Sequence, residues 1–471
     1  MKFPEIDEDT LEESPLLFRE PSLIFDEHQS PSEGNKSKRK GLLGNGPFDK
    51  NIEARDFEKI NIIPVVVEDD EVSEALKSVL MKLKQNIWKT DEGFQGFNDI
   101  FQCEIDYLDE QNWYYADRYS REEFESIAKE IRENYNFRNG DERNIVVYVT
   151  ESSSANKKDI PKSEYIGMKS QLLKGFLPSQ SLSEDYKKII DQEKKGNLSE
   201  FSLLNIAAQI YAKVGGVPWT AEKPENDVSA EINVGIRASV PKTGDSNYVY
   251  GVAQIFSEHG KWIDAVVEQG SKPLKSDSYG MPSETMQELL DVSVSKYASS
   301  VLANSAIEEV KRINIHKPDG FSDSEIAAVK EYSEKNDVDI CLVDVTRSDI
   351  RMYSEDEKDS NIRRGYFKRI NDNTGILCTT GNYEDGGQIR SHRIGTPVPL
   401  IINVVSDEGL VTPDVEEVAK NIFDMTRLNL DDVVNKEVSH PVTLNYAHRV
   451  SSMASYGIEV HNINESVPWF L

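Results

Sequence analysis

Apolar and polar positions along the chain follow two rhythms, and their order predicts an architecture. Ile62 to Val67 is an unbroken apolar run of strand length, and directly after it Val72, Leu76, Val79, Leu80, Leu83 and Ile87 recur at helical spacing. Phe101 to Leu108 predicts a second strand, Arg121 to Asn134 a helix and Asn144 to Thr150 a third strand. Strand alternating with helix in this way predicts a parallel, Rossmann-like sheet. A ligand of such a sheet is expected at the carboxyl ends of the strands, near helix N-termini whose dipoles favour phosphate.

The rhythm changes after a polar stretch, Thr220 to Ser229, which places a domain boundary there. Glu231 to Val240, Asn247 to Phe256 and Lys261 to Val267 read as successive antiparallel strands, followed by a helix from Ser283 to Asn304. Val310 to His316, Asp323 to Asn336 and Asp339 to Val345 then spell a β-α-β unit. Ahead of both regions, Met1 to Glu13 is acidic, and Gln29 to Lys40, rich in Ser, Gly, Asn and Lys, predicts a flexible loop. The division is therefore an N-terminal extension over 1–50, an α/β domain over 51–220 and a second α/β domain over 221–471.

Four polar residues in the first of these domains carry the candidate chemistry. Tyr165 and Lys169 are an i, i+4 pair, so a helix capped by Ser163 turns both to one face. Gln180 follows the break at Pro178, and Lys213 ends the next helix, which runs into Val214-Gly215-Gly216-Val217-Pro218-Trp219. A tyrosine ring can stack on a terminal base, two ammonium groups can neutralise a phosphate, and an amide can donate to its oxygens. From spacing alone the same residues are also at home as solvated lysines and a half-buried tyrosine on helix surfaces.

Tyr165-x3-Lys169, then Gln180, then Ala212-Lys213-Val214-Gly215-Gly216-Val217-Pro218-Trp219 resembles the guide-binding MID segment of Argonaute proteins. Ile232-Asn233-Val234-Gly235-Ile236, Tyr250-Gly251-Val252-Ala253-Gln254 and Ile313 to Phe321 are similar to successive PIWI strands and loops. Gly395 to Leu400, Thr426 to Asn429 and Pro441 to His448 resemble the family's closing motifs. With no PAZ-sized block before the MID region, the likeness is to a short prokaryotic Argonaute. It implies a Rossmann-like MID domain followed by an RNase H-like PIWI domain, with Tyr165, Lys169, Gln180 and Lys213 holding a guide 5′ phosphate. In many members the terminal carboxylate helps hold a divalent ion against that phosphate, which implies Mg²⁺ at Leu471 and Gln180. The apolar ending Val467-Pro468-Trp469-Phe470-Leu471 is read equally well as a plug for a core gap.

The chemistry of the second domain turns on metal. RNase H-like nucleases cut with two divalent ions clamped by acidic side chains. Slicing Argonautes carry an aspartate in a Gly-Ile-Asp string on the opening strand, whereas this chain reads Gly235-Ile236-Arg237. A guanidinium has no lone pair to offer a metal. The family's His-Arg-Asp-Gly string corresponds to His316-Lys317-Pro318-Asp319-Gly320, one residue longer, which displaces Asp319 from the metal position. His448 matches the place of a fourth ligand and reads first as a structural hydrogen-bonder.

The net charge of −29 weighs against a polyanionic ligand, since nucleic-acid binders usually carry a basic surface. Screening confines surface fields to about 8 Å at physiological salt, so a local lysine cluster can still act beneath an acidic exterior. Lys157, Lys158, Lys162, Lys169 and Lys174, and Lys311, Arg312, Arg363, Arg364, Lys368 and Arg369, supply candidate basic groups. Cys103, Cys341 and Cys378 are too far apart and odd in number for a disulfide framework, and are read as reduced and buried. No apolar run is long enough for a membrane span and no signal peptide is seen, so a cytoplasmic location is expected.

The reading that results is a catalytically inactive guide-binding protein. The resemblance implies a short guide RNA, a complementary single-stranded DNA or RNA target, and a separate APAZ-containing effector partner carrying a TIR, sirtuin-like or nuclease domain. Two alternatives stand beside it: an active guide-directed endonuclease with a non-standard metal site, and a scaffold that binds only protein.

Overall fold

The computed structural model describes residues 15–26, 37–50, 55–85, 93–151, 163–183, 200–221, 231–240, 248–256, 262–270, 280–300, 310–353, 361–385, 388–390, 396–430, 433, 440–459 and 467–470. The chain divides into two compact units. The first comprises Leu23–Thr220, Leu430–Val434 and Tyr456–Leu471, and the second Met1–Ser22, Ala221–Asn429 and Asn435–Ser455.

The first unit is built on a mainly parallel sheet of β1 (Lys59–Val67), β2 (Glu104–Tyr107), β3 (Tyr114–Ala116), β4 (Arg138–Asn139), β5 (Glu142–Thr150) and β6 (Ser179–Ser183). β1 lies at its centre, parallel to β2 and β3 on one side and to β5 on the other, and β5 pairs in parallel with β6. Ile62 to Val67 and Ile145 to Val149 are buried at every position, as a sheet covered on both faces requires. The covering helices are α1 (Asp70–Lys84), α2 (Arg121–Asn134), α3 (Ser163–Lys174) and α4 (Glu200–Lys213). Asp69 accepts from the backbone N–H groups of Glu71 and Val72 to start α1, and Ser120 accepts from Glu123 to start α2.

The second unit carries a nine-stranded sheet. Its strands are β7 (Glu231–Ser239), β8 (Tyr248–Phe256), β9 (Trp262–Gly270), β10 (Arg312–Lys317), β11 (Asp339–Arg347), β12 (Tyr366–Asn371), β13 (Thr374–Leu377), β14 (Leu400–Val404) and the two-residue strand Leu16–Leu17. β7, β10 and β11 run parallel, while β8 and β9 continue antiparallel on one side and β14, β13, β12 and Leu16–Leu17 on the other. The helices are α5 (Ser283–Ser300), α6 (Asp323–Asn336), α7 (Val415–Met425) and α8 (Val442–Ser455). A capping box between Ser322 and Glu325 starts α6, and Ile232, Val234, Ile236, Ile313, Ile315, Ile340 and Leu342 fill the core beneath α5 and α6.

Gly235 sets how closely α8 approaches the sheet. A Cβ there would run into the backbone carbonyl of Thr443. Next to it His316, fully buried, shares a 3.1 Å hydrogen bond between its Nδ1 and the Thr443 hydroxyl, and burial holds its pKa at about 4.

Several expectations change. Residues 101–108 are not one strand, because helix Phe97–Phe101 precedes β2. Ser163 lies within α3 rather than before it. Gln180 sits in β6, so the break at Pro178 is followed directly by a strand. Within the expected loop Gln29 to Lys40, residues 38–40 begin helix Lys38–Asn45, with Ser37 as its cap, while 29–36 lie outside the described residues. The extension over 1–50 is shared, since Met1–Ser22 falls in the second unit and Leu23 onward in the first, and the tail Tyr456–Leu471 belongs with the first unit rather than with 221–455. Ile87 and Leu471 lie outside the described residues.

Candidate functional site

In the first unit α3, α4 and β6 bring three of the four sequence-selected residues onto one point. Lys169 lies on the second turn of α3, and its Nζ donates to the Ser179 carbonyl at 3.0 Å and to the Trp469 carbonyl at 2.8 Å. Lys213 ends α4, and its Nζ donates to the same Ser179 carbonyl at 3.0 Å and to Gln180 Oε1 at 2.8 Å. The two ammonium groups therefore lie no further apart than twice that distance. Both lysines are 1% exposed and Gln180 is 7% exposed, so these are built positions and not solvated side chains. Gln180 Nε2 donates to the Ser181 carbonyl at 2.9 Å, which turns Oε1 toward Lys213. Tyr165 is half-buried, and its ring centroid lies 5.9 Å from Lys169 Nζ.

The place differs from the expected one. Ser179 opens β6, so the constellation gathers at the amino-terminal start of a strand and not at the carboxyl ends. Two ammonium groups held this close repel one another, and an anion seated between them removes that repulsion. A phosphate, with several acceptor oxygens, suits two strong donors on converging stems.

Further residues shape the site. Tyr148, on β5, lies with its ring 6.4 Å from that of Tyr165, and its buried hydroxyl lies near Ser179 and Ser181. Burial, then the neighbouring Tyr165, pushes the Tyr148 phenol well above its usual pKa, so it remains a neutral donor. Asp49 secures the turn behind Lys213: it accepts from the Tyr211 hydroxyl at 2.6 Å and from the Val217 N–H at 2.9 Å. That turn needs Gly215 at φ +104. Gly216 leaves room for the Tyr211 ring, where any Cβ would collide.

In the second unit the strand ends form a cleft of about 230 Å³, lined by Arg237, Ala238, Ser239, Val240, Lys317, Pro318 and Asp319. Gly235 pairs with His316, which brings the ends of β7 and β10 side by side and sets Arg237 near Asp319. Burial lowers the Arg237 pKa, and Asp319 opposes that shift. Lys317 is bound by both carboxylate oxygens of Glu325, at 2.7 and 2.8 Å. His448 keeps part of its surface in solvent, and desolvation of the remainder, then Arg237 and Arg449, lowers its pKa. His440 is held at about 4 by burial, with Arg237, Arg347 and His448 adding to the effect.

Asp344 is a neighbour that the sequence reading passed over. Its carboxyl is pushed up by burial and by Asp319, while the Thr346 hydroxyl donates to it at 2.6 Å. The signal was available, since Asp344 interrupts the apolar run of β11. Among the described residues no group of three or more His, Cys, Asp and Glu is placed to hold a metal ion.

Several basic groups proposed from sequence turn out to be structural. Arg364 is 4% exposed and is bound to Glu20 at 2.6 Å, the Thr379 carbonyl and the Thr426 hydroxyl. Arg312 pairs with Glu231 and Arg369 with Asp414. Lys157, Lys158 and Lys162 lie outside the described residues. All three cysteines are buried and unpaired with each other. Among the described residues no helix is long and apolar enough to cross a membrane.

The Piwi domain family model matches residues 169–459, which takes in Lys169 itself. The chain is 23% identical over 295 residues to Protein argonaute of Aquifex aeolicus (strain VF5), an alignment spanning 63% of this chain and 36% of that protein. The structure is similar to that of Clostridium butyricum Argonaute bound to a guide DNA and a 19-mer target DNA, with a TM-score of 0.67 at 17% identity, covering 97% of this chain and 55% of that one. It is also similar to Drosophila Piwi, with a TM-score of 0.65 at 12% identity, covering 97% of this chain and 56% of that one. The chain thus spans little more than half the length of these solved structures, and about a third of the Aquifex protein falls within the sequence match.

Proposed function

We propose, from the premise that the chain belongs to the Piwi domain family and is an Argonaute, that it is a guide-dependent nucleic-acid-binding subunit without slicer activity. The observation that carries this reading is the convergence of Lys169 and Lys213 on the Ser179 carbonyl beside Gln180. A guide 5′ phosphate takes the two ammonium groups, and Tyr165 stacks on the terminal base. The guide is a short RNA, its complement a single-stranded DNA or RNA, and base pairing supplies sequence specificity.

The RNase H-like second unit holds the paired strands and leaves them uncut. Arg237 occupies the place of a metal-ligating aspartate, and a guanidinium repels a divalent ion there. Target recognition then passes to an APAZ-containing effector protein of the TIR, sirtuin-like or nuclease kind, as the resemblance to short prokaryotic Argonautes suggests. The described residues do not fit Mg²⁺ at the guide phosphate well. Gln180 Oε1 already accepts from Lys213, and a second ammonium group stands beside it. Neutralisation of the phosphate is therefore assigned to the lysines.

Sequencing the nucleic acid bound to the protein isolated from its host tests this reading. A short, length-restricted RNA population with a fixed 5′ base is expected, and its absence would sink the proposal. A second reading, an active endonuclease, is favoured by one observation, the nearness of Asp319 and Asp344. Manganese-dependent cleavage of a guide-matched target by the purified protein would establish it.

A further inference from the structure

The cleft at the ends of β7 and β10 contains a charge whose employment the fold does not explain. Arg237 makes no hydrogen bond and no ion pair among the described residues, although it is half-buried and lines the cleft. The other cation of the lining, Lys317, is committed to Glu325 through two bonds and is 4% exposed. Asp319 is close enough to act on Arg237 electrostatically, yet the two are not in ion-pair contact. None of its nitrogens is among the buried side-chain atoms that lack a hydrogen-bond partner, so the guanidinium keeps accessible donors at the cleft. A cation that lines a cavity with its donors uncommitted among the described residues is open to a partner that arrives from solution.

The chemistry of that partner follows from the donors. A guanidinium presents paired N–H groups that match the oxygens of a phosphodiester, and it does so without titrating. The cavity, about 230 Å³, is several times the roughly 30 Å³ share of a single water and admits such a group. His440 and His448, both under the influence of Arg237, are held towards their neutral forms by burial and by that cation. Neutral imidazoles add no charge of their own, Arg347 and Arg449 act on them from beyond the cleft lining, and Asp319 offsets part of the Arg237 charge.

We propose that Arg237 is a resident cation that holds one backbone phosphate of a nucleic-acid strand in this cleft, without a metal ion. The substitution that removes a metal ligand thereby supplies the positive charge the metal would have brought. This deepens the reading of the second unit as a nucleic-acid-holding domain and rests on it, but not on guide capture by the first unit.

The test uses the full-length protein, a short RNA–DNA hybrid with 5′-hydroxyl ends as probe, EDTA in the buffer and binding measured over a series of salt concentrations. Arg237→Ala is expected to weaken binding about tenfold and to flatten the slope of log K against log salt by about 0.9, the value for one lost phosphate contact on a duplex. Arg237→Lys should restore the slope while recovering only part of the affinity, because the paired N–H geometry is gone. The 5′-hydroxyl ends keep the terminal-phosphate site of the first unit out of this readout, and loading of a 5′-phosphorylated strand by the wild type, measured separately, reports on that site. An unchanged salt slope in Arg237→Ala, wild-type binding abolished by EDTA, or no binding of the hybrid by the wild type would each overturn the proposal. Normal loading of the phosphorylated strand in those cases would leave the guide-binding reading standing.

Discussion

The two units treat positive charge in opposite ways. In the first, two ammonium groups are buried and held by carbonyl oxygens of β6 and the chain's own tail, so the site is assembled before any ligand arrives. In the second, a single guanidinium stands half-buried in a cleft without such support. The contrast teaches that net charge is a poor guide to local charge. A chain of net charge −29 still concentrates cations at two points, because burial and geometry act locally where the overall field does not.

The largest effect expected is on the first unit. Lys169→Ala with Lys213→Ala should weaken binding of a 5′-phosphorylated guide at least about 100-fold, since each charge-assisted hydrogen bond contributes about 1.5–3 kcal/mol. Equal guide affinity in Arg237→Ala would confirm that the two cation sites are separate, and equal losses in both variants would erase the distinction.

Gly235→Ala comes next. A methyl group facing the Thr443 carbonyl must displace α8 from β7, which should cost about 1–3 kcal/mol of stability, read as a lowered thermal midpoint. An unshifted midpoint would mean that α8 is not seated as described.

A smaller effect concerns the turn behind Lys213. Burial pushes the Asp49 carboxyl to about 6 from its ordinary value of 3.8, against the lowering effects of Tyr211 and Val217. A folded pKa above the unfolded one means that the folded chain binds the extra proton between those values, so this contribution is complete below about pH 4 and lost as pH rises to about 6. Asp49→Asn removes the titration. The stability difference between wild type and variant should therefore move in the variant's favour by about 2 kcal/mol across that window. A flat difference would contradict the assignment.

The smallest effect is a null one with diagnostic value. Burial pushes all three thiols to about 12, so thiol reagents should not react with the folded protein. During gradual unfolding, Cys103 reports on the first unit and Cys341 and Cys378 on the second.

Much of this was legible in the sequence, for identifiable reasons. Long elements whose burial pattern matches their periodicity, such as α2 over Arg121–Asn134 and α6 over Asp323–Asn336, were read with their observed limits. β6 was missed because Ser179-Gln180-Ser181-Leu182-Ser183 carries only one apolar residue and is a strand through its pairing with β5. The lysines and Gln180 were singled out by spacing together with the family resemblance, yet the oxygen the two lysines share was not, since a backbone carbonyl leaves no mark in the residue code. Trp469 lies 300 positions from Lys169, a separation no local pattern bridges. Arg364 and Arg312 read as candidate basic groups in the sequence, and the acidic partners that hold them come from remote segments.

The central claim is that the buried lysine pair holds a guide by its terminal phosphate. Its most direct test is the affinity of the wild-type protein for one short RNA prepared with a 5′ phosphate and with a 5′ hydroxyl, repeated in Lys169→Ala with Lys213→Ala. The account predicts that the wild type prefers the phosphorylated strand and that the double variant loses this preference by falling to the level of the hydroxyl strand. Equal affinity of the wild type for both strands, or a preference that survives in the double variant, would contradict it.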